Sequence, residues 1–310
     1  MKDSILFGDC RDTISTITDK VQMCVTSPPY YGLRNYGDES EQIGQEDTPE
    51  EYIQNLVNVF QSVKNVLADD GTLWLNIGDS YYNYRPGKGQ SYPKQSVSKT
   101  NQDLPTNCNK RGNKLEGLKE KDLIGIPWML AFALRADGWY LRQDIIWHKP
   151  NPMPESVRDR CTKSHEYLFL LSKNKHYYYD NESIKEPAKD WGTRDRTNGK
   201  YHNPGSGLVP HSGLTKSYPM RNKRSVWSIT NKPYKGAHFA TFPRDLVEPC
   251  ILAGSRVNDT ILDPFMGSGT TAMVAKELGR YYIGCELHED YNTLIDERVT
   301  PYHANLEKFL

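Results

Sequence analysis

The stretch from Asp263 to Ala272, "DPFMGSGTTA", decides the fold of this 310-residue chain. It follows a short apolar run and precedes a helical pattern, which is where glycines let the backbone approach a ligand. Gly267, Gly269 and Ala272 match the pattern GxGxxA. Glu286 ends the next predicted strand, where a carboxylate is well placed for ribose hydroxyls. The stretch predicts a nucleoside-type cofactor, with a purely structural glycine turn as the alternative, and no Gly-Lys-Ser/Thr follows that would indicate a nucleoside triphosphate.

Strands and helices alternate on both sides of this loop. The pattern predicts an α/β fold: a doubly wound, mostly parallel sheet with helices on both faces. The last βαβα unit is too short to bury itself alone, so its sheet partners must be the amino-terminal strands. Predicted strands are 4–9, 21–27, 72–78, 139–149, 165–173, 260–264 and 281–287, and predicted helices are 48–71, 123–138, 242–254 and 270–279, with a last helix at the carboxyl end.

A second informative stretch, Thr26 to Gly32, reads "TSPPYYG" and follows the second predicted strand. Two consecutive prolines fix two φ angles and remove two backbone donors, so the segment neither extends the strand nor starts an ordinary helix. The result is a rigid turn with a hydroxyl, carbonyl groups and two tyrosines. At the carboxyl edge of an α/β sheet, such a turn could hold a flat polar group in one orientation.

Charge is balanced overall but unevenly distributed. The chain has 39 basic and 39 acidic residues, yet 85–121 holds nine Lys/Arg against three Asp/Glu (+6), and 185–235 holds eleven against three (+8). Both segments have the composition of long surface loops. Either one alone could be a solvated insertion, but two basic insertions in a neutral chain favour an anionic ligand such as nucleic acid.

The cysteine spacing and the hydropathy of the sequence argue against several classes of protein. The six cysteines form no CxxC pair, so neither a zinc site nor a disulfide framework is expected, and we predict no metal. No apolar run is long enough to span a membrane, and the first ten residues do not resemble a signal peptide. These features predict a soluble, cytoplasmic protein.

The two motifs together resemble the amino-methylating DNA methyltransferases that use S-adenosylmethionine. "DPFMGSG" looks like their cofactor loop, and "TSPPYY" is similar to their catalytic motif (D/N/S)PP(Y/F/W). The catalytic motif comes first, with a target-recognition insertion between the two, which resembles the circularly permuted β group. The resemblance implies a Rossmann-like fold in which "SILFGD" continues the sheet beside "YYIGCEL". It also implies a catalytic domain of 1–184 and 236–310, which carries the basic insertion 85–121, and a target-recognition insertion at 185–235.

The resemblance implies a set of cofactor-binding residues. Glu286 would bind the ribose hydroxyls, Asp9 the adenine amino group, and Phe239 and Thr241, in "HFATFP", would lie beside the methionine moiety. Residues expected to line the cofactor at the glycine loop are Asp263, Phe265, Gly267, Gly269 and Thr270.

In the catalytic turn, the resemblance makes a nucleobase the flat group. The Ser27 side chain and the Pro28 carbonyl would accept the two N–H bonds of an exocyclic amine, Pro29 would hold the turn, and Tyr30 would stack on the base. The base must be flipped out of the duplex, and the methyl group then transfers in one displacement.

Cys250 follows Pro249 on the predicted helix 242–254, among apolar residues. We expect its side chain to be a buried thiol with no part in catalysis.

The resulting expectation is a sequence-specific methyltransferase acting on double-stranded DNA, with Arg221, Lys223 and Arg224 contacting DNA and a cognate restriction endonuclease as a possible functional partner. Ser at the start of the motif favours cytosine N4 over adenine N6. The alternatives are a nicotinamide-dependent oxidoreductase, a catalytically inactive DNA-binding module and a glutamine methyltransferase, whose motifs come in the opposite order.

Overall fold

The computed structural model describes residues 1–32, 42–82, 115–188, 219–231 and 242–303. The strands within these ranges are β1 (Ser4–Phe7), β2 (Val21–Thr26), β3 (Leu67–Ile77), β4 (Tyr140–His148), β5 (His165–Ser172), β6 (Glu186–Pro187), β7 (Met220–Arg221), β8 (Val226–Ser228), β9 (Thr260–Asp263) and β10 (Tyr281–Glu286). The helices are α1 (Cys10–Thr13), α2 (Pro49–Val66), α3 (Ile126–Ala136), α4 (Arg244–Gly254), α5 (Thr270–Glu277) and α6 (Asn292–His303).

Eight strands form the main sheet, in the order β1-β10-β9-β2-β3-β5-β4-β8. Strand β5 runs antiparallel to both of its neighbours, and every other pair in the sheet is parallel. The amino-terminal strand β1 pairs with β10 near the other end of the chain, with Phe7 opposite Glu286. This pairing confirms the predicted α/β sheet and the permuted strand order.

Helices cover both faces of the sheet, as predicted. On one face α2 and α3 pack over a core that includes Leu56, Phe60 and Leu130, each fully buried. On the other face α4, α5 and α6 pack over a second core that includes Val247, Val274 and Ile295. Because helices cover both faces of the sheet, the side chains on both sides of its central strands are shielded from solvent. Strands β2 and β9 are accordingly buried along their whole length.

Helix α2 has the predicted start but not the predicted end. Its first turn is closed by a capping box between Thr48 and Glu51, with Pro49 as the first helical residue. The sequence predicts a helix that continues to Gly71, and this is wrong: α2 ends at Val66 and β3 begins at once. The segment before Gly71 instead pairs with β2 through a register shift, and Asp70 accepts a hydrogen bond from Gln22 at 3.1 Å. Contacts with the neighbouring strand thus outweigh the local helical pattern.

Several predicted features lie outside the described residues. These are most of the 85–121 insertion, most of the 185–235 insertion, and the "HFAT" segment with Phe239 and Thr241. Among the residues that are described, no helix is both long and apolar enough to cross a membrane.

Candidate active site

The expected site lies at the edge where the parallel strands end. Thr26 ends β2, Asp263 ends β9 and Glu286 ends β10, and their registers place all three at the carboxyl edge of the sheet. Strand β5 runs the other way, so its first residues, His165 and Glu166, lie at this same edge. The topology therefore gathers the catalytic turn, the glycine loop and the start of β5.

Asp263 organises the glycine loop. Its side chain is fully buried and accepts hydrogen bonds from Thr271 Oγ1 at 2.6 Å, from Phe265 N at 3.1 Å and from Thr26 Oγ1 at 2.5 Å. Burial raises the pKa of Asp263 to about 6, although these three bonds oppose the shift. Since the carboxylate faces donors from both motifs, its role in the loop is to hold the backbone in place.

The loop glycines adopt a conformation that other residues avoid. Gly267 has a φ of 52° and Gly269 a φ of 78°, both in the left-handed region. A Cβ on Gly269 would lie 3.1 Å from the side chain of Ile295, so this position is also tightly packed against α6. Thr270 follows as the first residue of α5 and is buried.

Glu286 ties the end of β10 to this loop. Its Oε2 accepts a hydrogen bond from Gly267 N at 2.7 Å, and its Oε1 accepts one from His288 N at 3.1 Å. Burial raises the pKa of Glu286, with the two backbone donors acting against it. A carboxylate has about four acceptor positions, so two bonds leave room for hydroxyl donors.

Asp9 follows the end of β1, whose last residue, Phe7, lies opposite Glu286 of β10. Its side chain caps α1 and forms an ion pair with Arg11, whose Nε lies 2.9 Å from Asp9 Oδ1. Burial on its own would raise the pKa of Asp9, but the hydrogen bonds and charge of Arg11 outweigh it and leave the pKa lowered. The structure thus brings Asp9 to the expected edge, with Arg11 as its present partner.

Residues of α2 and of the segment before it contact the backbone of the SPPY turn. Tyr52 of α2 donates its hydroxyl hydrogen to the Pro29 carbonyl at 2.8 Å. Gly32 N donates to the Gly44 carbonyl at 2.9 Å, and a Cβ on Gly44 would lie 3.2 Å from the Tyr30 carbonyl oxygen. Contacts from α2 and from Gly44 therefore hold the backbone of the turn, and its rigidity stays a prediction from the two prolines.

Tyr30 reaches inward from the turn. Its Oη lies 2.7 Å from Glu166 Oε2 and 3.2 Å from Asn76 Oδ1. Its ring packs so closely on Gly78 that a Cβ there would be 2.6 Å from Tyr30 Cε2. Burial, reinforced by the negative charge of Glu166, raises the pKa of Tyr30, so the phenol stays protonated. The predicted stacking of Tyr30 on a base stays a prediction.

Sequence reasoning missed three residues of this site: Asn76, Glu166 and Lys149. Asn76 had a usable signal, because it is a polar residue within the apolar run of β3 and is almost fully buried. Glu166 and Lys149 had none, since charged residues beside strand ends are common at protein surfaces.

The three residues predicted to contact DNA lie away from this edge. Residues 221–224 precede β8, which runs parallel to β4 with Val226 opposite Ile146, so they lie toward the opposite end of the sheet. Arg221 Nε and Arg224 Nε both donate to Glu186 Oε1, at 2.9 Å and 2.6 Å. Lys223 Nζ lies 5.0 Å from the centre of the Trp227 ring. Two of the three cations are therefore paired with one carboxylate, and the contact with DNA stays a prediction.

Cys250 and His148 each make a contact within the fold. Cys250 is fully buried in α4, where its thiol donates to the Leu246 carbonyl at 3.1 Å, which confirms the buried-thiol prediction. His148 Nδ1 lies 3.0 Å from Ser228 Oγ at the junction of β4 and β8. Within the described residues, no group of three His, Cys, Asp or Glu side chains is arranged to hold a metal ion.

A family model described as "DNA methylase", that of the N6/N4 methyltransferases, matches residues 21–297. The chain belongs to this family. The methyltransferase is 49% identical over 296 residues to the type II methyltransferase M.SmaI of Serratia marcescens, a match that covers 95% of this chain and 90% of the relative. It is 44% identical to M.XycI of Xanthomonas campestris pv. cyanopsidis, over 99% of this chain and 91% of the relative. Family membership excludes the oxidoreductase alternative and establishes a DNA methyltransferase.

Solved structures show the same fold. TTHA0409 of Thermus thermophilus, complexed with S-adenosyl-L-methionine, matches the methyltransferase with a TM-score of 0.59 and 22% identity, covering 96% of this chain and 93% of the other. PvuII DNA methyltransferase, described as cytosine-N4-specific, matches with a TM-score of 0.61 and 16% identity, covering 99% and 93%. At these identities the likeness concerns the fold.

Proposed function

We propose that the methyltransferase transfers a methyl group from S-adenosylmethionine to the N4 amine of cytosine in double-stranded DNA. The observation that carries the proposal is the 2.5 Å hydrogen bond from Thr26 to Asp263. Thr26 immediately precedes the SPPY turn and Asp263 opens the glycine loop, so one bond holds the expected base site against the expected cofactor site. Direct transfer of a methyl group requires this proximity.

The residues at the strand ends fit a nucleoside cofactor. Glu286 has acceptor capacity left beyond Gly267 N and His288 N for ribose hydroxyls, and Asp9 would lie near the adenine. Phe265 would contact the cofactor from the glycine loop, while Phe239 and Thr241 are proposed beside the methionine moiety from the family resemblance. When bound, S-adenosylmethionine would supply an electrophilic methyl group, with S-adenosylhomocysteine as the leaving group and one proton of the amine lost to solvent.

The catalytic turn would prepare the nucleophile. The lone pair of an exocyclic amine is conjugated with its ring, which makes the amine a poor nucleophile. Acceptance of its two N–H bonds by Ser27 Oγ and the Pro28 carbonyl would localise that lone pair and aim it at the methyl group. Pro29, fixed by Tyr52, holds the geometry of the turn, and Tyr30 would stack on the flipped base.

Cytosine N4 is proposed over adenine N6 because Ser27 opens the motif. In the amino-methylating family, motifs of adenine enzymes usually begin with Asp, or less often Asn, and those of cytosine-N4 enzymes usually begin with Ser. Both bases offer an amine beside a ring nitrogen, so adenine is the second candidate.

The decisive experiment is mass spectrometry of nucleosides from DNA methylated by the protein. We expect N4-methylcytosine. N6-methyladenine as the sole product would overturn the proposed target base and leave the mechanism standing, whereas no methylated base at all would overturn the proposed reaction. Sequencing of the modified DNA would then give the recognition sequence.

We further infer that residues 185–235 form the target-recognition insertion of a catalytic domain made of 1–184 and 236–310, working on DNA in the cytoplasm. The type II names of M.SmaI and M.XycI support a cognate restriction endonuclease as a functional partner. The boundaries can be tested by exchanging 185–235 for the corresponding segment of a related methyltransferase with a different recognition sequence. We expect the sequence preference to move with the segment.

A further inference from the structure

A chain of polar contacts leads from the carboxyl end of β4 to the catalytic turn. Lys149 Nζ forms an ion pair with Glu166 Oε1, and the two side chains are only 16% and 15% exposed. The other oxygen of Glu166 lies 2.7 Å from Tyr30 Oη. Ser27 Oγ lies 3.5 Å from that same phenol oxygen. Four side chains from three parts of the sequence thus form one continuous series of contacts.

The chemistry of these groups determines where each hydrogen points. An ammonium group only donates and an ionised carboxylate only accepts, so Tyr30 must donate its single hydrogen to Glu166. Asn76 Oδ1 is also within reach of Tyr30, but it is farther away and uncharged, which makes Glu166 the stronger acceptor. The Asn76 amide nitrogen donates to the Tyr167 carbonyl at 3.1 Å, which fixes the orientation of that amide.

With its hydrogen committed to Glu166, the Tyr30 oxygen can only accept from Ser27. The Ser27 hydroxyl hydrogen then points at Tyr30, and the Ser27 lone pairs point elsewhere. This matters because an amine to be methylated presents N–H donors, and a hydroxyl hydrogen aimed at it would repel them. The contact of 3.5 Å is long for a hydrogen bond, as is common in catalytic sites without substrate.

We propose that Lys149 and Glu166 are positioning residues that act through Tyr30 to turn the Ser27 hydroxyl hydrogen away from the target base, so that Ser27 presents a lone pair to the base amine. The inference rests on the proposed function, in which Ser27 accepts an N–H bond of the base. The ammonium group of Lys149 compensates the buried negative charge of Glu166, and a carboxylate so paired remains an acceptor. The ion pair thereby sets the direction of the whole chain of contacts.

The sharpest test uses the amide analogue of Glu166. In Glu166→Gln the side-chain carbonyl would turn to Lys149 and the NH₂ group to Tyr30. The Tyr30 hydrogen then loses its charged acceptor and is shared between Asn76 Oδ1 at 3.2 Å and Ser27 Oγ at 3.5 Å, and whenever it points at Ser27 the Ser27 hydrogen is turned toward the base. We expect the single-turnover rate of methyl transfer to fall by about 10- to 100-fold, the scale expected for misplaced reacting groups. The dissociation constant for S-adenosylmethionine should stay unchanged, because the change concerns the base site.

A second substitution that restores the rate would show that Glu166→Gln acts through the direction of the Tyr30 hydrogen bond and not through a loss of stability. In the double variant Lys149→Met with Glu166→Gln, no ammonium group competes for the amide carbonyl, which is free to accept from Tyr30 again. We expect the double variant to be faster than Glu166→Gln alone, and it leaves no buried unpaired charge that would prevent folding. A double variant no faster than the single one would overturn the proposal.

A double-mutant cycle with Ser27→Ala tests whether the loss of rate in Glu166→Gln depends on the Ser27 hydroxyl. On a Ser27→Ala background there is no hydroxyl to orient, so Glu166→Gln should cause no further loss of rate. The full loss on that background would mean that Glu166 acts by another route and would overturn the proposal. Glu155→Gln is the matched control, because Glu155 pairs with Arg160 on the loop before β5 and the two side chains are 28% and 27% exposed; its rate should equal that of the wild type.

The failure of the inference and the failure of the proposed function are separable. A wild-type protein that methylates no base refutes the proposed reaction before any variant is compared. A wild type that methylates DNA, with a Glu166→Gln variant of equal single-turnover rate, refutes only the positioning role.

Discussion

Thr26 and Asp263, which are 237 positions apart in the chain, share a buried hydrogen bond of 2.5 Å between Thr26 Oγ1 and Asp263 Oδ1. They end neighbouring parallel strands, β2 and β9. Because Asp263 also holds Thr271 and Phe265 N, a change at Thr26 is transmitted directly to the glycine loop.

Removal of this hydroxyl should therefore loosen the loop. Thr26→Val keeps the shape but leaves a buried carboxylate with one donor fewer, so we expect a loss of about 1–3 kcal/mol in the free energy of unfolding. Urea denaturation measures it. Thr26→Ser, which keeps the hydroxyl, is the control and should retain more of the stability; equal losses in the two variants would assign the effect to packing.

The raised pKa of Asp263 predicts a specific pH dependence of stability. Its native pKa is about 6 against an ordinary value of 3.8, so between these values the folded protein binds more protons at this site than the unfolded chain. The contribution of Asp263 to the free energy of unfolding is therefore fully present below pH 3.8 and is lost as the pH rises through 6. The slope is at most about 1.4 kcal/mol per pH unit. Other carboxylates contribute slopes of either sign, since the pKa of Glu286 is raised and that of Asp9 is lowered, so the measurement is the difference between wild type and Asp263→Asn.

We expect the wild type to lose stability relative to Asp263→Asn as the pH rises from about 4 to about 7, measured as the free energy of unfolding in urea at several pH values. Parallel curves for the two proteins would contradict the assigned pKa. Asp259→Asn, a change at a partly exposed carboxylate of the same region, is the control.

Loss of the Glu286 carboxylate should weaken cofactor binding. Glu286→Ala removes the acceptor that holds Gly267 N and, on the proposed function, the partner of the ribose hydroxyls. We expect the affinity for S-adenosylmethionine to fall by about 10- to 100-fold, the equivalent of one or two charge-assisted hydrogen bonds. Calorimetric titration measures the affinity, with the exposed Glu289→Ala as control; ordinary affinity in Glu286→Ala would remove Glu286 from the cofactor site.

Ser27→Ala should separate catalysis from cofactor binding. The Ser27 side chain is expected to address the base, so its loss should lower the single-turnover rate by about 100-fold, as for the removal of one aligned hydrogen-bonding group in other active sites. S-adenosylmethionine should bind as in the wild type. A parallel loss of binding and rate would indicate a folding defect instead, which circular dichroism would reveal.

Charge reversal of Arg221, Lys223 and Arg224 should weaken DNA binding and reduce its salt dependence, if these residues neutralise phosphates. Fluorescence anisotropy with duplex DNA at several salt concentrations measures both quantities, and Arg256→Glu, at an exposed position paired with Asp70, is the control. Unchanged affinity in the triple variant would place the recognition surface on 85–121.

The shared partner of two of these cations allows a second measurement. Arg221 and Arg224 both pair with Glu186, so part of their positive charge is already neutralised within the protein. Glu186→Gln removes that competing carboxylate and should strengthen DNA binding in the same anisotropy assay. Weaker binding in Glu186→Gln would show instead that Glu186 is needed to hold the two arginines in place.

Local patterns in the sequence predicted much of this molecule. The amphipathic repeat of α2, the prolines after β2 and the glycines after β9 each act through backbone preferences of a few neighbouring residues, so their structures can be inferred without knowledge of the rest of the chain. The resemblance of the two motifs, in their order, to the permuted methyltransferases also implied that β1 lies beside β10. The first three features depend on periodicity and turn chemistry, and the last depends on the family resemblance.

Tertiary structure alone decided which distant side chains meet. Glu166 reaches Tyr30, 136 positions away, only because β5 runs antiparallel and so begins at the edge where β2 ends. Likewise, the pairing of the start of β3 with β2, from Leu67 opposite Val21 onward, decided that α2 ends early, against its local helical pattern. Strand direction and register arise from the packing of the whole sheet, and a charged residue at the start of a strand shows no local sign of the partner that this packing will bring to it.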